Sequence, residues 1–215
     1  MITRRRLALA CAVLALAGCE PSGGGFSFLT GPSASAVTQV KLLDGEVIVA
    51  TPSGYCIDRN ATRADLGFAA EASCALVARG GAAPRHDGLI TVQVGDGDSA
   101  IVTGQENTLR NFLKSDEGKQ LLAGDGPVRG ISVGKTGIWN HVVEVYLNSV
   151  PEGEFEGFQP VEWRAFFDLK DRLVTIRLRG YDRAPLSFEQ GQALLRTAID
   201  AMIQANSVVA APETG

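Results

Sequence analysis

Arg164, Arg177 and Arg179 stand at positions where alternation would put them on one strand face, and Arg183 follows nearby. Guanidinium groups so placed could grip a carboxylate or phosphate through paired N–H donors. Glu162 and Asp168 fall on the same stretch, so a solvated sheet face neutralised by its own acids is the expected state, with an anion contact as the alternative. Gly130-Ile131-Ser132-Val133-Gly134 has the G-x-S-x-G spacing of a nucleophile elbow, which needs a strand before it, a helix after it and a late histidine. Residues 135–147 read instead as a turn and a strand, and His141 comes only nine residues on; the match is incidental. Gly134-Lys135-Thr136 copies the end of a phosphate-binding loop, but Arg129 stands where the earlier glycine belongs. Asp96-Gly97-Asp98-Ser99 offers oxygen ligands, yet Val102, Thr103 and Gly104 do not continue a calcium loop. Asn60-Ala61-Thr62 has the form of a glycosylation sequon and is read as incidental. His86 lies in a polar loop and is expected to be solvated. His141 is expected on the apolar face of a strand, beside Trp139 and Val143, as a hydrogen-bonded boundary residue, with catalysis as the alternative. These residues favour no enzyme activity, no cofactor and no metal.

The amino terminus carries a different chemistry. Arg4-Arg5-Arg6 precedes an apolar run over residues 7–17, long enough for a signal sequence but too short to cross a hydrocarbon core of about 30 Å. The run ends in Leu16-Ala17-Gly18-Cys19, which resembles the lipobox of bacterial lipoproteins at every position. The resemblance implies cleavage after Gly18, a diacylglyceryl thioether on Cys19 and acylation (palmitate among the chains) of the new amine. Two or three acyl chains, at about 0.8 kcal/mol per buried methylene, would hold the protein durably on a bilayer. The expected location is the cell envelope, facing the periplasm. Position 20 is Glu20 rather than the aspartate associated with inner-membrane retention, so the outer membrane is preferred.

Loss of residues 1–18 would remove three arginines and no acid, moving the formal charge from −4 to −7. An acidic chain has no basic footprint for a phosphate backbone, so nucleic acid is not an expected partner. Cys11 would leave with the signal and Cys19 would carry lipid. Cys56 and Cys74 remain as one pair in an oxidising compartment, which favours a disulfide worth roughly 3 kcal/mol. The rival readings are a metal pair, which normally wants four ligands, and a redox couple, which usually has the closer C-x-x-C spacing.

The elements that must position these residues follow from periodicity. Residues 19–36, rich in Gly, Ser and Pro, read as a flexible tether, residues 37–205 as one domain and residues 206–215 as a frayed tail. Residues 37–43 and 46–50 form a hairpin across Asp44-Gly45, residues 54–58 stay extended, and residues 60–66 suit a helical turn. Residues 74–78, 89–94, 139–147, 161–169 and 173–179 are expected strands, the last two paired through Lys170-Asp171-Arg172. Residues 107–122 suit a kinked helix or two short ones, with Ser115 capping the second. Ser187 and Gln190 form a capping box before a helix whose stripe is Leu194, Leu195, Ala198, Ile199, Met202 and Ile203.

Opening hairpin, strands, central helix, strand block and capped closing helix spell an α+β domain with a central antiparallel sheet flanked by helices. The order is similar to the Mog1/PsbP-type fold, through the opening hairpin, the strand over residues 89–94 before a helix, and the hairpin from Trp163 to Arg179 leading into the capped helix. That resemblance implies a binding or assembly accessory; with the lipobox, the expectation is an envelope lipoprotein held to the membrane by lipid and working on another envelope protein. The alternative is a periplasmic enzyme or small-anion receptor using Arg164, Arg177 and Arg179 or the region near His141.

Overall fold

The computed structural model describes residues 35–124, 130–149 and 156–207. The expected signal sequence, Cys19 and the tether up to residue 34 lie outside the described residues, as does the tail from residue 208.

Among the described residues, nine strands make two sheets. β1 (Gln39–Leu42) and β2 (Val47–Ala50) form a separate hairpin. β3 (Tyr55–Ile57), β4 (Phe68–Ser73), β5 (Gly88–Val94), β6 (Ser132–Trp139), β7 (Val142–Asn148), β8 (Val161–Leu169) and β9 (Arg172–Gly180) form an antiparallel sheet in the order β3-β4-β5-β9-β8-β7-β6. The helices are α1 (Cys74–Val77), α2 (Glu106–Phe112), α3 (Asp116–Ala123) and α4 (Phe188–Ser207). The class is α+β, an antiparallel sheet flanked by helices.

Alternation decides what each strand buries. Trp163, Ala165 and Phe167 of β8, with Val174, Ile176 and Leu178 of β9, face the main core, where α4 and the β1-β2 hairpin cover the sheet. On the opposite face, Val143, Val145, Leu147 and Phe166 pack with Val102, Leu113 and Leu122 under α2 and α3. α4 brings the expected stripe, Leu194, Leu195, Ala198, Ile199 and Met202, to the main core. Its capping box is formed: Ser187 N–H donates to Gln190 Oε1 at 2.9 Å, and Gln190 N–H donates to Ser187 Oγ at 3.2 Å. Gly191 lets the first turn of α4 lie flat on β8, since a Cβ there would overlap the Trp163 ring. The helix runs to Ser207, so Asn206 belongs to its last turn and not to the tail.

Several elements differ from expectation. Asp44-Gly45 is not a two-residue turn; Leu42 pairs with Val47 across four residues, with left-handed Leu43, Asp44 and Gly45. Residues 74–78 hold the one-turn helix α1 rather than a strand, and the strand lies just before it as β4. Cys56 and Cys74 are bonded, with Cα atoms 4.8 Å apart. The bond ties β3 to the start of α1, and the intervening segment is held by β4 pairing as well as by the bond. Ser115 caps α3 through its Oγ, which accepts from Gly118 N–H at 3.1 Å.

Candidate functional site

β6 and β7 meet in a two-residue turn, Asn140-His141, with both residues left-handed. His141 therefore stands at the tip and not on an apolar strand face. Its side chain is 72% exposed, and Nδ1 lies 2.7 Å from Glu106 Oε1 at the start of α2. The bond to His141 is the largest cause holding the Glu106 carboxyl below its usual range. His86 is half-buried and lends its backbone carbonyl to Tyr55 Oη at 2.8 Å. Asp96, Gly97, Asp98 and Ser99 form a tight turn in which Ser99 Oγ donates to the Asp96 carbonyl and accepts from Leu173 N–H. Among the described residues, no group of three His, Cys, Asp or Glu is placed to hold a metal ion.

The three arginines do converge, but inward. Glu162 is 0% exposed and takes Arg164 Nη2 at 2.5 Å, Arg177 Nη2 at 3.0 Å and Arg179 Nη2 at 2.6 Å. Arg164 also donates to the Leu122 carbonyl at the end of α3, and Arg179 to Ser149 Oγ. Burial pushes the Glu162 carboxyl up, but Arg164, Arg177 and Arg179 outweigh it and bring it down to about 2. The solvated face expected here is therefore a buried ion cluster, covered because α3 ends against it. Asp168 is not part of it: its carboxylate accepts from Ile101, Val102 and Thr103 N–H at 2.9, 2.9 and 2.7 Å and pins the approach to α2. Arg177, its side chain 39% exposed, is the cluster member an arriving anion would meet.

A cleft of about 300 Å³ opens on the other face, between β6, β7, β8 and the first turns of α4. Sequence reasoning missed it because β6 is an edge strand whose Gly-Lys-Thr-Gly middle separates Val133 from Ile138 and Trp139 and breaks any apolar alternation. The register of β6 on β7 shifts between Val133 and Thr136, and such a bulge re-aims side chains. Here it carries Lys135, from the Gly-Lys-Thr triplet, over the Phe188 ring, with Nζ 3.8 Å from the centroid. Tyr146 meets Phe188 edge to face at 5.2 Å and 89°, and Trp163 at 5.3 Å. Trp163 Nε1 donates to the Phe188 carbonyl at 3.2 Å, fixing the indole under the helix start. Glu144, on the cleft wall, accepts from Gln192 Nε2 at 3.0 Å and from Arg196 Nε and Nη2, each at 2.7 Å. The alternation of Val143, Val145 and Leu147 implied that Glu144 and Tyr146 share the other face of β7; nothing local in sequence tied them to Phe188 and Gln192.

No protein-family model matches this chain, and no curated protein matches it significantly. Solved structures similar to it include two of Mog1 proteins. One is the Ran-binding protein Mog1p of Saccharomyces cerevisiae, 12% identical over 80% of this chain and 94% of that one, with a TM-score of 0.41. The other is a mutant of protein Mog1, 13% identical over 77% of this chain and 92% of that one, with a TM-score of 0.40.

Proposed function

We propose that this chain is a lipid-anchored accessory of the bacterial envelope that binds its ligand without transforming it, and that the cleft beside α4 is where it binds. The anchor rests on Leu16-Ala17-Gly18-Cys19 behind a basic and apolar leader. The observation that carries the binding half is the state of Glu144. Both of its oxygens are engaged by Gln192 and Arg196, so the cleft presents aromatic surface and fixed charges rather than an uncommitted base. His141, the other candidate base, stands at the exposed hairpin tip beside Glu106 and does not line the cleft.

Two measurements test this. Metabolic labelling with palmitate should mark the mature protein, and Cys19→Ser should abolish the label and leave an uncleaved precursor; labelling that persists removes the anchor. A photo-cross-linking side chain at position 136, which lines the cleft, should give an adduct in intact envelopes. The same group at position 141 should not, and equal adducts at both positions would remove the cleft from the reading.

A further inference from the structure

Building on the reading of the cleft as the binding site, we propose that it receives a quaternary ammonium group, seated on the face of Phe188 that Lys135 now covers, beside Tyr146. Phe188 and Tyr146 stand almost perpendicular and make a corner of two rings, with Trp163 behind them. Ring faces attract cations, and the attraction grows as water is excluded. The protein already places an ammonium there, since Lys135 Nζ lies 3.8 Å from the Phe188 centroid. Lys135 is itself exposed and sits at the bulge of an edge strand, so it can swing into solvent at little cost.

The paired state of Glu144 selects the kind of cation. A primary ammonium entering the cleft would shed water from three N–H donors, and the wall carboxylate, already accepting three hydrogen bonds, could receive only one of them, on Oε1. A trimethylammonium group has no N–H to satisfy, and its methyl groups suit apolar walls. Glu189 supplies negative charge near the site, close enough to Lys135 to feel its field. The size suits a headgroup: about 300 Å³ is the small end of ligand pockets.

Titration of the full chain with choline chloride against matched potassium chloride, read by tryptophan fluorescence, tests this. A saturable change is expected. Lys135→Ala should tighten it about tenfold, the size of one displaced cation–π contact. Phe188→Leu or Tyr146→Leu, each shown folded by circular dichroism, should weaken it about tenfold or more. Choline-competed capture of the full chain's Cys19→Ser variant on phosphatidylcholine vesicles would support the same site with a lipid as the source. Absence of saturation in both the parent and Lys135→Ala would overturn the proposal, as would choline binding indifferent to Phe188 and Tyr146. Acetate binding that disappears in Lys135→Ala would overturn the ammonium ligand while leaving the cleft as a binding site. Palmitate labelling reports on the anchor separately.

Discussion

Asn206, in the last turn of α4, treats Ile48 of β2 as a neighbouring strand would. The Ile48 N–H donates to Asn206 Oδ1 at 3.0 Å, and Asn206 Nδ2 donates to the Ile48 carbonyl at 2.6 Å. The two residues are 158 positions apart. One amide thus fastens the end of α4 to the β1-β2 hairpin, and the same Nδ2 also donates to the Met202 carbonyl.

Asn206→Ala should therefore destabilise the fold by about 1–3 kcal/mol, because it leaves both backbone groups of Ile48 without this partner. Urea unfolding gives the number. An unchanged midpoint would mean water replaces the amide without cost.

Glu162 should be the most sensitive ionic position. Glu162→Ala leaves two buried guanidinium groups without their shared carboxylate and should cost about 3–5 kcal/mol. Arg177→Ala, at the wet edge of the cluster, should cost less. The folded carboxyl sits at about 2, below its ordinary value of 4.5, so its contribution is full above about 4.5 and fades as pH falls toward 2. Denaturant midpoints measured from pH 6 to pH 2 should show a fall that Glu162→Gln lacks.

Glu71 should act with the opposite sign. It is buried on β4 among the residues of the main core, and burial raises its carboxyl to about 8. The folded chain keeps this proton while the unfolded chain loses it near 4.5, so stability is full below about 4.5 and declines as pH rises toward 8. Glu71→Gln should remove that decline and raise the thermal midpoint at pH 8. A parent midpoint flat from pH 5 to pH 8 would show that Glu71 is not so shifted.

The disulfide should contribute about 2–4 kcal/mol, and replacing Cys56 or Cys74 by serine should lower the thermal midpoint by several degrees. Thiol titration of unfolded, unreduced Cys19→Ser protein after removal of residues 1–18 should find no free thiol. Two would show the pair unbridged.

What the sequence displayed of this fold was what its local patterns enforce. β8, β9 and α4 carry strong alternation, a capping box and a long apolar stripe, and each formed close to where it was expected. β4 is Phe-Ala-Ala-Glu-Ala-Ser, whose small residues give no period-two signal; it is a strand because β3 and β5 pair with it on both sides. β6 was hidden by its glycines and its bulge, and with it Lys135 and the cleft. The face of Arg164, Arg177 and Arg179 was legible, but its burial was not, because the cover comes from α3, some 40 residues earlier. The turn at Asn140-His141 lacks the glycine that usually marks a left-handed pair, so His141 was placed one element too far inside.

The strand order has a consequence for how this chain comes into being. β5 and β9 are neighbours at the centre of the sheet, yet the first residue of β9 follows the last of β5 by almost 80 positions. Of the large sheet, β3, β4 and β5 come first along the chain, and that unit has an open edge until β9 closes it. The pairing that joins the two halves of the sheet is thus the last to become available, which makes assembly slow and leaves the nascent intermediate sticky. Cys56 and Cys74 both lie in the early unit, so their bond can lock β3 against the end of β4 without any contribution from β9.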